Sequence, residues 1–101
     1  MVDTDVQEYS DDIRFQIGQR IQEMRLEKCI PGIEVAAILN IGKNQLSRIE
    51  TGRANCTVPQ LFVLAQMLDC SVDYLMFGKK EVHLSKEQEQ LVLELVKSFK
   101  T

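Results

Sequence analysis

Residues 41–52 read IGKNQLSRIETG. Gly42 and Gly52 bracket a short run without proline, and inside it only Leu46 and Ile49 are apolar. At about 100° per residue these two share one side of a helix, while Lys43, Asn44, Ser47 and Arg48 fall on the other. A helix side that only meets water is more often built from Glu and Lys. This one carries amide, hydroxyl and guanidinium groups, which hydrogen-bond in defined directions. The spacing predicts a short helix from Lys43 to about Thr51. Its outer side is either a solvated face or a reading face.

The flanking segments also read as helices. Ile13, Ile17, Ile21 and Met24 recur every three or four residues and predict a first helix, with Ser10 as N-cap and an end near Lys28. Pro31-Gly32 opens a second helix to Leu39, with Val35, Ala36, Ile38 and Leu39 as its apolar stripe. Asn40-Ile41-Gly42 is a tight turn into the third helix, for which Gly52 is the stop. Thr57 and Gln60 have capping-box spacing for a fourth helix, with Pro59 tolerated in its first turn and Leu61, Leu64, Ala65 and Leu68 facing the core. Ser71 caps a short fifth helix that stops at Gly78. After the link KKEVHL, Ser85 and Gln88 suggest a second capping box. It opens a sixth helix with a stripe of Leu91, Val92, Leu95, Val96 and Phe99. No strand pattern is present, so the expected fold class is all-α: five helices around one core plus a C-terminal helix. The expected organisation is an acidic N-terminal stretch over residues 1–12, a domain over 13–78, and a linker with the last helix over 79–101.

Composition narrows the function. The chain has 101 residues, 45% of them hydrophobic, enough for one core. Its longest apolar runs, Val35 to Leu39 and Leu61 to Ala65, are far short of the roughly 20 residues that cross a bilayer. The acidic start is unlike a signal peptide, so a cytoplasmic protein without a membrane partner is expected. Three cysteines, Cys29, Cys56 and Cys70, have no metal-ligand spacing and read as small apolar residues in or near a core. With one histidine, His83, neither a metal site nor another cofactor is expected. No base–nucleophile set or phosphate-binding glycine loop is evident, so no catalytic residues are nominated and an enzyme is not expected. The net charge is −3, but residues 1–12 carry five acids and no base, whereas residues 13–78 carry seven bases and six acids. An acidic total therefore leaves room for a locally basic surface.

Two short helices joined by a glycine-containing turn form a helix-turn-helix pattern, whose second helix enters the major groove of duplex DNA in DNA-binding versions. Asn pairs with adenine, Arg or Lys with guanine, and Ser with either. Three features fall in register: Ser47-Arg48-Ile49-Glu50-Thr51-Gly52 ending the third helix, the loop Gly52-Arg53-Ala54-Asn55-Cys56-Thr57, and Ser71-Val72-Asp73-Tyr74-Leu75. On these the stretch from Ile17 to Gly78 resembles the phage repressor and Cro type of helix-turn-helix domain, the XRE family, over about 60 residues.

The resemblance implies a DNA-binding transcriptional regulator, expected to be a repressor that occupies an operator as a homodimer. Lys43, Asn44 and Arg48, with Gln45 and Ser47 close by, stand where relatives contact bases. Arg53 and Asn55 stand in a loop that touches phosphates, and Gly32 would offer a phosphate its backbone N–H. Arg25 and Glu50 match a pair that bridges two helices and orients the reading helix. Two departures imply fewer phosphate contacts: Pro31-Gly32 replaces a Ser-Gln opening, and Ala54 replaces a frequent basic residue. They keep an alternative open, an antitoxin or other interaction module with a toxin or another protein as partner. The C-terminal stripe is expected either to pair with a second copy or to fold back on its own domain. The acidic stretch is expected to be a tail or a short extension of the first helix, and Tyr74 and Phe77 are expected to pack in the core or an interface.

Overall fold

The structure is a computed structural model that describes residues 6–79 and 86–100. Among the described residues it is entirely helical: α1 (Asp11–Glu27), α2 (Gly32–Ile38), α3 (Lys43–Glu50), α4 (Val58–Met67), α5 (Val72–Phe77) and α6 (Lys86–Lys100). Local chemistry sets the ends. The Ser10 and Ser71 hydroxyls accept from the third backbone N–H of α1 and α5, and Thr57 with Gln60 forms the reciprocal capping box of α4. Gly52 and Gly78 take left-handed φ values of 77° and 74° just beyond α3 and α5. Cys29, Asn40 and Asp69 do the same after α1, α2 and α4, at φ of 56°, 56° and 51°.

The amphipathic faces meet in one core built from Ile17 and Ile21, Val35 and Ala36, Leu46 and Ile49, Leu61, Leu64, Ala65 and Leu68, and Leu75. Helix α1 is the spine, packing against α3 and α5, while α2 lies on α3 and α4 on α5. At the α1–α3 crossing Gly18 is buried, and a methyl group there would run into the backbone carbonyls of Ile49 and Glu50. At the other face of α1, Arg20 donates to the Leu75 and Met76 carbonyls at 3.0 and 3.2 Å and closes the end of α5.

Three expectations are corrected. Ile38 is exposed, because α2 is only two turns long and its core contact is carried by Val35 and Ala36. Cys29 is exposed too, since it occupies the left-handed position that turns the chain away from α1. For Phe77 only the core alternative is corrected, since it is exposed, whereas Tyr74 is half-buried against the core. The acidic stretch overlaps α1, whose first turn contains Asp11 and Asp12, favourably placed at the positive end of the helix dipole. His83 and the Ser85 cap lie outside the described residues, as does the side chain of Phe99. In α6 Leu91, Val92, Leu95 and Val96 are all exposed.

Candidate nucleic-acid interface

Helix α3 buries Leu46 and Ile49 and turns Lys43, Asn44, Ser47 and Arg48 to solvent, with Gln45 half-buried at the flank. The four exposed side chains span an arc of roughly 140° on the outer side. Thr51 falls within the same arc, which its sequence position at the helix end had not suggested. Its hydroxyl donates to the Ser47 carbonyl at 2.8 Å and so stays committed to the helix. Lys43, Asn44, Ser47 and Arg48 are the groups left to meet a polar ligand there.

This helix is held from behind by two arginines of α1. Arg25 reaches Glu50 through Nε at 2.7 Å and Nη2 at 3.0 Å, a two-point contact between planar groups, and its Nη1 donates to the Ile30 carbonyl at 3.0 Å. One side chain thereby ties α1, the entry to α2 and the end of α3 together. The hydrogen bond to Glu50, with its charge, raises the Arg25 pKa against the opposing effect of burial. Glu50 is buried, a position a carboxylate occupies only with a partner of this kind. Arg14 supplies the second hold: its Nε donates to the Gly52 carbonyl at 2.7 Å and its Nη2 pairs with Asp11 at 2.9 Å.

The loop after α3 is consequently fixed. The backbone N–H groups of Arg53 and Ala54 both donate to the Arg48 carbonyl, at 2.7 and 3.1 Å. Arg53 and Asn55 are exposed on it. Asn55 is engaged: its Oδ1 accepts from the Tyr9 hydroxyl at 2.9 Å. Cys56, half-buried in the same loop, has its thiol pKa pushed up to about 11 by desolvation and stays protonated at neutral pH. Gly32 is the first residue of α2, and a Cβ there would meet only Leu46 and Arg25 side-chain atoms at 3.6–3.8 Å, ordinary contact. Glu34 shares that first turn and sets a carboxylate near the backbone N–H that Gly32 would offer.

Tyr9, Arg14 and Gly18 had not been singled out in the sequence. An isolated glycine inside the α1 pattern is the one available signal, since it marks a close approach. Among the described residues no group of three or more His, Cys, Asp or Glu side chains is placed to hold a metal, and no helix is long and apolar enough to cross a membrane.

A short helix with a polar outer arc, braced by a second helix through a left-handed turn at Asn40, defines a helix-turn-helix protein. The helix-turn-helix family model matches residues 21–75. The chain belongs to that family in its phage repressor and Cro-like, XRE form, and is a DNA-binding transcriptional regulator. It is 35% identical over 75 residues to the HTH-type transcriptional regulator ImmR of Bacillus subtilis, covering 74% of this chain and 58% of ImmR. Among solved structures it is similar to a SinR protein–SinI protein complex, at 36% identity over 81% of this chain and 80% of that one, TM-score 0.56. The restriction-modification controller protein C.AhdI from Aeromonas hydrophila shares the fold, at 24% identity over 65% of this chain and 98% of its own, TM-score 0.57.

Proposed function

We propose that the chain binds an operator as a homodimer and represses by occupying it, with α3 in the major groove. The observation that carries this reading is the outer arc of α3. Its four polar side chains are exposed, while the helix itself is fixed by the Arg25–Glu50 pair. Lys43, Asn44 and Arg48 read base edges, with Ser47 and the flanking Gln45 beside them. Arg53 and Asn55 contact phosphates, as does the backbone of Gly32, whose contribution Glu34 weakens. The Arg25–Glu50 pair sets the tilt of α3 and touches no base.

Selection of bound duplexes from a random DNA pool at near-physiological salt tests the proposal. An enriched inverted repeat with half-sites about one helical turn apart is the expected result. Arg48→Ala in the same selection should weaken specific binding by about 1–3 kcal/mol and relax preference at one base pair. Equal loss on every sequence would make Arg48 a phosphate contact, and an unenriched pool would remove the operator from the reading.

The second copy is joined through α6. Its stripe of Leu91, Val92, Leu95 and Val96 is exposed, although residues spaced in this way on a helix normally meet a partner. Leu91→Asp with Leu95→Asp should shift the protein from dimer to monomer in sedimentation velocity without lowering its helix content. A dimer that persists would place the interface elsewhere. The same stripe favours a second reading, capture of a protein partner, and the SinR structure that this chain resembles is itself a complex with SinI.

A further inference from the structure

The Asn55 side chain meets a phosphate only through its NH₂ group, because a phosphate oxygen accepts and the amide oxygen has no hydrogen to give. An exposed asparagine amide turns about χ2 in a broad, roughly two-fold well, so oxygen and nitrogen compete for the outward position. Here one side chain decides between them. The Tyr9 hydroxyl donates to Asn55 Oδ1 at 2.9 Å, across 46 residues of sequence. The oxygen is thereby taken, and among the described residues nothing accepts from the NH₂ group. The reverse arrangement, NH₂ donating to the phenol oxygen, is the poorer one, because that oxygen shares its lone pair with the ring. Tyr9 is itself placed by local structure. Ser10, the next residue, is extended at φ −108° and ψ 172° and caps α1 through its hydroxyl, which sets how the chain enters the helix. Tyr9 and Asn55 also line, with Arg14, Ile17, Cys56 and Met76, a mainly apolar hollow of about 320 Å³. The loop backbone has other holds: Arg14 donates to the Gly52 carbonyl, and the Arg53 and Ala54 N–H groups donate to the Arg48 carbonyl. What the Tyr9 hydroxyl adds is the rotation of one amide.

We propose that Tyr9 is a positioning residue for the phosphate contact of Asn55: by taking Oδ1 it commits the NH₂ group to the backbone of bound DNA. The inference rests on the assignment of Asn55 to phosphate made above. Tyr9 acts through Asn55 and not on DNA itself. It raises affinity on every sequence alike and leaves base preference untouched, since phosphate contacts carry no base information. The segment ahead of α1 is then part of the binding apparatus, through one hydroxyl.

Phosphate contacts are independent of sequence, so a mixed-sequence duplex at about 50 mM salt is a sufficient probe. Its affinity is measured for the full chain, Tyr9→Phe, Asn55→Ala and the two combined. Tyr9→Phe should bind about threefold more weakly, the cost of ordering one side chain on binding without help. Asn55→Ala should lose at least as much. Adding Tyr9→Phe to Asn55→Ala should change nothing further, since the hydroxyl then has no amide to turn. The salt dependence of Tyr9→Phe should run parallel to that of the wild type, because Arg53 keeps its phosphate. Its thermal melting should also match, as the ring is retained and Tyr9 is half exposed. Wild-type or tighter binding by Tyr9→Phe, with Asn55→Ala weaker, overturns the positioning role and leaves the phosphate contact standing. Losses that add in the combined variant, or a shallower salt dependence for Tyr9→Phe, overturn it too, for the hydroxyl would then hold the whole loop rather than the amide. If Asn55→Ala binds as the wild type does, Asn55 meets no phosphate. That assignment then fails first, and Tyr9 has nothing to position.

Discussion

Glu50→Ala is expected to lower the unfolding free energy by about 3 kcal/mol, the lower end of the cost of breaking a buried ion pair. Glu50 is 4% exposed and receives both Nε and Nη2 of Arg25. Alanine would leave the guanidinium with the Ile30 carbonyl alone, in a place where water reaches it poorly. The lower end applies because the Arg25 side chain keeps 14% of its exposure, so some rehydration is available. Urea denaturation gives the value directly. A second variant separates stability from orientation. Replacing both partners by apolar residues, Arg25→Met with Glu50→Leu, should recover most of the lost stability, because no charge is then left buried. If DNA affinity stays low in that folded double variant, the pair is needed to hold α3 at its angle. If affinity returns with stability, packing alone sets the angle, and the orienting role of Arg25 and Glu50 is lost.

Gly18→Val should be the more damaging substitution, costing more than about 3 kcal/mol and leaving little folded protein. A β-carbon at Gly18 would lie 2.7 Å from the Glu50 carbonyl oxygen and closer still to that of Ile49. These are backbone atoms at the end of α3, so relief requires moving the helix rather than turning a rotamer. The higher helix propensity of a non-glycine residue returns at most about 1 kcal/mol. Gly32→Ala is the matched control, because the nearest atom there is a leucine methyl at 3.6 Å and no backbone must shift. Thermal melting of the two variants checks the contrast. A Gly18→Val protein melting like wild type would mean that the α1–α3 separation is adjustable, contrary to the crossing described here.

The helices and their ends were legible because their signals are local. Thr57 with Gln60, Ser71 with the N–H of Tyr74, and Gly52 past α3 are all read within four residues. The outer arc of α3 follows from its period alone. What could not be read acts across long separations. Arg14 caps the end of α3 from 38 residues away, Arg20 caps α5 from 55, and Tyr9 reaches Asn55 from 46. A side chain donating to a distant carbonyl leaves no periodic mark, since the acceptor exists at every residue. Ile38 was misassigned for a related reason. A helix of two turns has apolar residues enough for a stripe, but its core contact is only as wide as the neighbouring α3. The pairing of Arg25 with Glu50 was suggested only by the family resemblance, for nothing between residues 25 and 50 announces that they meet.

The exposed apolar residues of α6, Leu91, Val92, Leu95 and Val96, are separate in the chain from Lys43, Asn44, Ser47 and Arg48, which face outward on α3. Mutational drift can therefore act on either without touching the other. After gene duplication, two descendants could keep one target and acquire different companions, or keep one companion and move to new targets. Helix α1, which braces α3 through Arg14, Gly18 and Arg25, has no such latitude. Across any set of descendants it is the segment where substitutions should be fewest.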